Sequence, residues 1–251
     1  MSPKVILITG ANSGVGFATS KVVAGASPDF HVIMSGRNLE KVEAAKTEIE
    51  AAGGVKGQLS TLHLDITDDA SIESAVTYIG EHFGQLDALV NNAAVGGITP
   101  NHRERLRYCM ETNVVSTRTL SLAMQPLLLK SDNPYSIYVS SGVGSLKMAA
   151  DAPAGATGYL VVGDAYRSSK AAVNMIMILE HKDTYDTQLK VFAVCPGFVV
   201  SNLRGTSEEA RTGGGKAGDP MVSGQTILSI VEGKRDADVG KLVHKDGVYP
   251  W

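Results

Sequence analysis

Residues 4–16 read KVILITGANSGVG, an unbroken apolar run that leads into three closely spaced glycines. A continuous apolar run of this length is typical of a strand that is buried on both faces of a sheet. Gly10, Gly14 and Gly16 allow a tight turn and a close approach of the backbone to a pyrophosphate, which the N-terminus of the following helix would attract. Glycine-rich turns are common, so an ordinary strand-to-helix turn is the alternative. The position of this one between strand and helix favours a nucleotide site.

The rest of the chain repeats this alternation of strand and helix. Further apolar runs of strand length lie at 31–35, 59–64, 86–90, 135–140 and 189–195. Helical patterns lie at 14–24, 39–52, 70–83, 103–130 and 164–182. Such alternation implies right-handed crossovers and therefore a parallel sheet with helices on both faces. Ligands of these sheets bind beyond the carboxyl ends of the strands, so the chemistry is expected there.

Composition excludes several classes of function. The 251 residues carry a net charge of −3, so no basic excess is available to neutralise the phosphates of a nucleic acid. The apolar stretches are far shorter than the roughly 20 residues of a membrane span, and the N-terminus lacks a signal-peptide layout. The only two cysteines, Cys109 and Cys195, suggest a reducing compartment, and the six histidines lack the spacing of a metal site. We therefore expect a soluble, cytoplasmic protein with no metal, no nucleic-acid partner and no membrane partner.

The second predicted strand indicates which dinucleotide is bound. It ends in Gly36 and Arg37, about 20 residues beyond the glycine turn, where an NAD site places a carboxylate against the ribose 2′-OH. An arginine instead pairs with a 2′-phosphate through forked, charge-assisted hydrogen bonds. Arg37 therefore favours NADP over NAD, and a solvated surface arginine is the alternative. Asp65 could accept a hydrogen bond from the adenine amino group or cap the next helix, although Asp68 or Asp69 is better placed for capping.

A candidate reactive group lies further along the chain. Tyr166 and Lys170 are four residues apart in a predicted helix, so both side chains project from one face. A free phenol has a pKa of about 10, and a neighbouring ammonium favours its ionised form. A pair of surface residues is the alternative for this spacing alone. Ser141 adds a hydroxyl at the end of the fifth strand, and Asn113 lies mid-helix, where an amide needs a specific partner.

Taken in this order, the motifs make the chain resemble the short-chain dehydrogenase/reductase family, and carbonyl reductases within it, from Thr9 to about Ser201. The resemblance implies a single-domain Rossmann fold over residues 1–251, with a doubly wound parallel sheet of about seven strands and helices on both faces. The motifs that carry it are Thr9-Gly10-x-x-x-Gly14-x-Gly16, Asp65, Asn91-Asn92-Ala93-Ala94, Asn113, Ser141, Tyr166-x-x-x-Lys170 and Pro196-Gly197.

The resemblance also implies an activity, the NADP(H)-dependent interconversion of a ketone or aldehyde and an alcohol. It makes Tyr166 the general acid/base and Ser141 the hydrogen-bond donor to the substrate carbonyl. Lys170 would lower the pKa of the tyrosine and hold the nicotinamide ribose, while Asn113 would anchor a water-linked proton relay. The alternatives are a non-redox enzyme of the family, such as an epimerase or dehydratase, and a non-catalytic NADP-sensing regulator.

By the same resemblance, the nucleotide contacts are spread over the carboxyl ends of several strands. Val199 and Ser201, after Pro196-Gly197, would meet the nicotinamide end. The expected NADP-binding residues are Gly10, Asn12, Ser13, Gly14, Val15, Gly16, Arg37, Asp65, Ile66, Asn92, Ala93, Tyr166, Lys170, Pro196, Gly197, Val199 and Ser201.

Three features depart from the family pattern or extend it. Ala94 stands where glycine is usual, Ser201 stands where threonine is more frequent, and an added segment at 147–163 is expected to border the substrate cleft. The glycine-rich residues 202–218, with Ser207 as a helix cap, are interpreted as a lid over the substrate, and a passive loop is the alternative.

The family usually dimerises through the helices that hold Asn113 and Lys170, so a homodimer is expected here. A monomer that covers these helices with the added segment is the alternative. The apolar residues expected to be exposed on this helix pair are Leu120, Leu122, Met124, Met175 and Met177.

Overall fold

A computed structural model describes residues 3–97, 99–153 and 163–251 of the protein. The strands are β1 Lys4–Thr9, β2 Phe30–Gly36, β3 Gln58–His63, β4 Ala88–Asn91, β5 Tyr135–Val139, β6 Lys190–Val194, β7 Leu242–His244 and β8 Gly247–Tyr249. The α-helices are α1 Gly14–Ala26, α2 Leu39–Ala51, α3 Asp69–Phe83, α4 His102–Met110, α5 Thr117–Leu128, α6 Leu146–Asp151, α7 Gly163–Asp183, α8 Glu208–Thr212 and α9 Met221–Val231.

The eight strands that the structure describes belong to one sheet, in the order β3-β2-β1-β4-β5-β6-β7-β8. The first seven strands run parallel, and β8 pairs antiparallel with β7. The predicted doubly wound parallel sheet is confirmed, with one strand more than the expected seven. Strand β8 has three residues, too few for a recognisable apolar run. The strand order reverses between β1 and β4, which opens a crevice for a ligand at their carboxyl ends.

The core has two layers, one on each face of the sheet. Ile6 and Ile8 pack into the layer under α1, α2 and α9, whereas Val5 and Leu7 pack into the layer under α3, α5 and α7. Side chains alternate between the two faces along a strand, so a strand covered on both sides must be apolar throughout. This explains the unbroken apolar run before the glycine turn.

Side chains cap the starts of two helices. The Asn38 side chain accepts a hydrogen bond from the Lys41 N–H at 2.9 Å, at the start of α2. Asp68, rather than Asp65, caps α3 by accepting from the Ala70 N–H at 3.1 Å. Of the helices that the structure describes, none combines the length and the apolar character that a membrane crossing requires.

The prediction of a single uninterrupted helix at 103–130 is wrong. It is interrupted between α4 and α5 by a π-helical turn, Glu111–Ser116. The expectation that Leu120, Met124 and Met177 are exposed is also wrong, because these side chains are buried in the core layer between the sheet and helices α3, α5 and α7. Helical periodicity turns only part of each helix toward solvent, so the exposed apolar residues are different ones, including Leu122 and Met175.

Candidate active site

The carboxyl ends of the central strands are tied together around Thr9. Its hydroxyl oxygen accepts hydrogen bonds from the backbone N–H groups of Asn92 and Ala93, both at 2.9 Å. The Asn92 side-chain amide donates to the Thr9 carbonyl at 2.7 Å and lies against Gly10. Two of the predicted nucleotide-binding residues therefore hold β1 and the segment after β4 together at the crevice.

The glycine turn has the geometry that a pyrophosphate requires. Gly10 and Gly14 adopt left-handed backbone angles, with φ of 62° and 55°, which favour glycine. A Cβ on Gly16 would lie 2.5 Å from the Gly10 carbonyl oxygen, so the turn closes only with glycine there. Ser13 precedes α1 without capping it through its side chain, so the first N–H groups of the helix are available to an anion. The turn therefore fits the predicted dinucleotide.

The predicted adenosine end lies beside this turn. A Cβ added to Gly36 would lie 3.5 Å from the Asn12 side-chain oxygen, so the glycine turn and the end of β2 are close together. The next residue, Arg37, has an exposed side chain. Burial opposes ionisation of Asp65, but hydrogen bonds from Thr67 and the nearby Arg37 charge hold the pKa of this carboxyl below its ordinary value. Thr67 occupies only Oδ1, so Oδ2 has no hydrogen-bond partner among the described residues.

Tyr166 and Lys170 lie together in the interior of the protein and are not a surface pair. Their side chains project from α7, and the two residues are 7% and 3% exposed. The Lys170 ammonium donates to the Val139 carbonyl at 2.7 Å and lies 5.6 Å from the centre of the Tyr166 ring. Helix α7 thus brings both groups to the carboxyl end of β5.

Burial dominates the ionisation of both side chains. It raises the pKa of the Tyr166 phenol, and the neighbouring Cys195 and Cys109 act in the same direction. It lowers the pKa of Lys170 to about 8. Lys170 is not among the groups that shift the pKa of Tyr166, so the expected lowering of the tyrosine pKa by Lys170 is not seen. A neutral phenol is the form that can give a proton to a carbonyl oxygen.

Asn113 has the specific partners that its mid-helix position demands. Its side chain accepts from the Val95 N–H at 2.8 Å and donates to the Val95 carbonyl at 3.0 Å. It also donates to the Ser169 hydroxyl at 3.0 Å, which in turn donates to the Tyr166 carbonyl at 2.7 Å. Asn113 lies within the π-helical turn, and its bonds connect this turn to Val95 and to the helix that carries Tyr166. Such turns are frequent at functional sites.

The two serines after β5 have different surroundings. Ser140 is buried, and its hydroxyl contacts the Asn174 side chain and the Lys170 carbonyl. Ser141 is only half-buried and accepts from the Val143 N–H at 3.3 Å. The Ser141 O–H has no acceptor among the described residues, so it is free to donate to a substrate. The choice of Ser141 over Ser140 as the group that meets the substrate stays a prediction.

Residues after β6 close the other side of the crevice. Pro196 leads into Gly197, which has a φ of 82°, and Val199 then forms an isolated parallel bridge with Gly218. Ser201 lies opposite the glycine turn, with its Cβ 3.2 Å from the position of a Gly14 Cβ. The remaining two predicted nucleotide-binding residues, Val15 and Ile66, are buried.

Three contacts at the site involve residues that the sequence did not single out. Val95 holds Asn113 through its backbone, and Ser169 connects Asn113 to the Tyr166 backbone. Arg204 donates to the carbonyls of Val199 and Arg211 at 3.0 and 2.7 Å and so holds the 202–218 segment together. Only the position of Ser169 within the Tyr-x-x-x-Lys helix was a usable signal. Of the added segment at 147–163, the part at 154–162 lies outside the described residues.

Comparison with known proteins gives consistent results. Residues 4–212 match the family model described as short chain dehydrogenase. The short-chain dehydrogenase/reductase tropE of Talaromyces stipitatus is 31% identical over 97% of this chain and 96% of that protein. The short-chain dehydrogenase/reductase eupG of a Phoma species is 33% identical over 98% and 97%. An NADPH-bound carbonyl reductase from chicken fatty liver superposes with a TM-score of 0.81 at 23% identity, over 100% of both chains.

Proposed function

The chain belongs to the short-chain dehydrogenase family of oxidoreductases, and we propose that it interconverts a ketone or aldehyde and an alcohol, with NADP(H) as the redox partner. The observation that carries this proposal is the buried Tyr166–Lys170 pair, whose ammonium bonds to the Val139 carbonyl, two residues before the free hydroxyl of Ser141. A protein that only sensed the nucleotide would need the glycine turn and not this group. Residues 1–251 act as one domain in this proposal, since the sheet includes strands from Lys4 to Tyr249.

Each proposed catalytic residue acts on the substrate carbonyl oxygen or on the Tyr166 phenol. NADPH, when bound, supplies the hydride that the carbonyl carbon receives. Tyr166 gives its phenolic proton to the carbonyl oxygen, so that the carbonyl becomes an alcohol, and oxidation reverses both transfers. Ser141 donates a hydrogen bond to the same oxygen and stabilises the charge that develops there. Lys170 lies on the same helix as Tyr166, and Asn113 bonds to that helix through Ser169. In this proposal they support a water-linked relay that returns a proton to the Tyr166 phenol.

The nucleotide is proposed to bind along the carboxyl edge of the sheet. Its pyrophosphate would meet the N–H groups at the start of α1, and its 2′-phosphate would meet Arg37. Asp65 presents a free carboxylate oxygen where the adenine amino group is expected. The NADPH of the chicken carbonyl reductase, which shares this fold, supports the choice of cofactor. The residues proposed to contact the nucleotide are Gly10, Asn12, Ser13, Gly14, Val15 and Gly16 of the glycine turn, together with Arg37, Asp65, Ile66, Asn92, Ala93, Tyr166, Lys170, Pro196, Gly197, Val199 and Ser201.

A screen of ketones, aldehydes and quinones that follows NADPH absorbance tests this function. Tyr166→Phe keeps the ring and removes the proton, so turnover of any substrate found should fall by about 10²- to 10⁴-fold while NADPH affinity stays nearly unchanged. Retained activity would mean that another group is the acid. Binding of NADPH without oxidation of it by any carbonyl compound would instead favour the non-redox enzyme or the sensor.

A further inference from the structure

The hairpin β7–β8 is a rigid element at the edge of the sheet. Arg235 donates to the carbonyls of His244 and Gly247 at 3.2 and 2.9 Å, and it pairs with Asp238 at 2.7 Å. These bonds fix both sides of the turn between the two strands. The Tyr249 ring stacks on the His244 ring, with centres 4.0 Å apart and planes 14° apart. The position of Tyr249 is therefore set by the hairpin.

The ring of Tyr249 contacts the segment that carries Ser141. Two of its carbon atoms lie 3.2 and 3.4 Å from the position of a Cβ on Gly142, so even one methyl group there would crowd the ring. The Tyr249 hydroxyl has no hydrogen-bond partner among the described residues, so the contact with Gly142 is made by the carbon atoms of the ring. Nearby, the Trp251 carbonyl accepts from the Lys147 N–H at 2.9 Å.

The turn after Ser141 is held from two opposite sides. On one side, the Gly142 N–H points at the Cys195 sulfur at 3.1 Å, next to the Tyr249 ring. On the other side, Gly144 lies against α7, where a Cβ would be 2.6 Å from the Lys170 carbonyl carbon. The 3₁₀ turn Gly142–Gly144 is thus enclosed between the helix of the reactive tyrosine and the hairpin. Both neighbours therefore constrain the turn that follows Ser141.

We propose that Tyr249 is a positioning residue for Ser141. Its ring holds the Gly142 turn at the distance from α7 at which the Ser141 hydroxyl and the Tyr166 phenol address the same carbonyl oxygen. This inference rests on the proposed function, because it needs a substrate carbonyl. Misplacement of a reacting group by about 1 Å can cost up to about 100-fold in rate, so a side chain that only supports the serine can have a measurable effect.

The experiment compares Tyr249→Ala, Tyr249→Phe and a control on the same strand, Val248→Ala, whose side chain is exposed to 42%. We expect Tyr249→Ala to lower kcat for carbonyl reduction by about 10- to 100-fold, with the NADPH dissociation constant unchanged within about twofold. Tyr249→Phe and Val248→Ala should match the wild type, since the ring alone makes the contact. If Tyr249→Ala unfolds the hairpin, Tyr249→Leu keeps apolar bulk without the flat ring and takes its place.

The decisive comparison is made in a Ser141→Ala background. If Tyr249 acts through the serine, Tyr249→Ala lowers kcat no further once the hydroxyl is gone, because effects through a shared partner are not additive. A further loss in the double variant, a wild-type rate in Tyr249→Ala, or an equal loss in Val248→Ala would each overturn the inference. A wild-type protein that reduces no carbonyl compound would refute the proposed function itself, and this inference with it.

Discussion

At the scale of single residues, burial acts in opposite directions on the charges of Tyr166 and Lys170. It raises the pKa of the phenol and lowers that of the ammonium to about 8. Tyr166 is therefore neutral, and able to donate a proton, over the whole physiological range. Lys170 is protonated below about pH 8 and becomes neutral above it. The charge that would meet the nucleotide ribose is thus present only on the acid side of that value.

This difference predicts a pH dependence. In the nucleotide-free enzyme, Lys170 loses its proton as the pH rises through about 8, so we expect kcat/KM for NADPH to fall there. Lys170→Arg keeps a positive charge at all these pH values and should lose this falling limb, although its absolute rate will be lower. Steady-state rates between pH 6 and 10 provide the measurement, with Lys182→Arg as the control. A limb that stays near pH 8 in Lys170→Arg would assign it to another group.

Arg37 carries the second prediction at this scale. Arg37→Glu should weaken NADPH binding by roughly 2–4 kcal/mol, because a charged hydrogen bond to the 2′-phosphate is replaced by repulsion. NADH lacks that phosphate and should bind almost as before. Fluorescence titration of both nucleotides gives the dissociation constants, and Lys182→Glu makes the same charge change at the end of α7. Equal affinity of the wild-type protein for the two nucleotides would contradict the assignment.

At the scale of elements, the segment 202–218 is more ordered than its five glycines suggest. Ser207 caps α8 as predicted, by accepting from the Ala210 N–H at 3.2 Å. The Arg204 guanidinium donates to the carbonyls of Ala210 and Arg211 within the segment and to that of Val199 just before it, and it lies 4.4 Å from the Phe198 ring centre. The segment packs against Gly96 at the crevice, so closely that a Cβ added to Gly96 would lie only 2.1 Å from the Leu203 carbonyl oxygen. Its internal bonds allow it to move as a unit.

We expect this segment to behave as a lid. Amide hydrogen exchange of 202–218 should be fast in the free protein and slow when NADP and a substrate analogue are both bound. Arg204→Ala should remove most of the ligand-dependent protection, because the segment then no longer closes as one piece. Arg211→Ala is the matched control, since only the backbone carbonyl of that residue binds Arg204. The same protection with and without ligands would identify a passive loop.

At the scale of the whole molecule, helices α5 and α7 expose apolar side chains. Leu122 is 49% exposed and Met175 is 54% exposed, and both lie on the helices through which this chain is expected to dimerise. Beneath them, the buried Glu180 carboxylate accepts from Arg118 at 2.8 Å and from Ser121 at 2.9 Å, and this network fixes the helix pair. A second copy of the chain could cover the exposed residues.

Assembly is therefore the prediction at this scale. Light scattering should report twice the monomer mass of 26.4 kDa, and Leu122→Glu should return the protein to the monomer. A charge placed in an apolar contact costs far more than one placed on an open surface. Tyr185→Glu, on a side chain exposed outside this helix pair, should leave the mass unchanged. A mass near 26.4 kDa at all concentrations would exclude the dimer.

What could be predicted from the sequence depends on local pattern. Periodicity located β1 at Lys4–Thr9, a capping aspartate located the start of α3, and the spacing of Tyr166 and Lys170 placed both on one helical face. These features follow from the chemistry of neighbouring residues, which a sequence displays directly. The order of the motifs along the chain was enough to identify the family.

The tertiary structure decided the features that depend on residues far apart in the chain. Asn113 bonds to Val95 and not to its own helix, and this contact accompanies the π-helical turn that no helical pattern announced. The burial that sets the pKa values of Tyr166 and Lys170 arises only when α7 packs on the sheet. Strand β8 owes its existence to pairing with β7, and Tyr249 meets Gly142 across more than a hundred residues. Such contacts form only when tertiary packing brings distant segments together, so no local stretch of sequence predicts them.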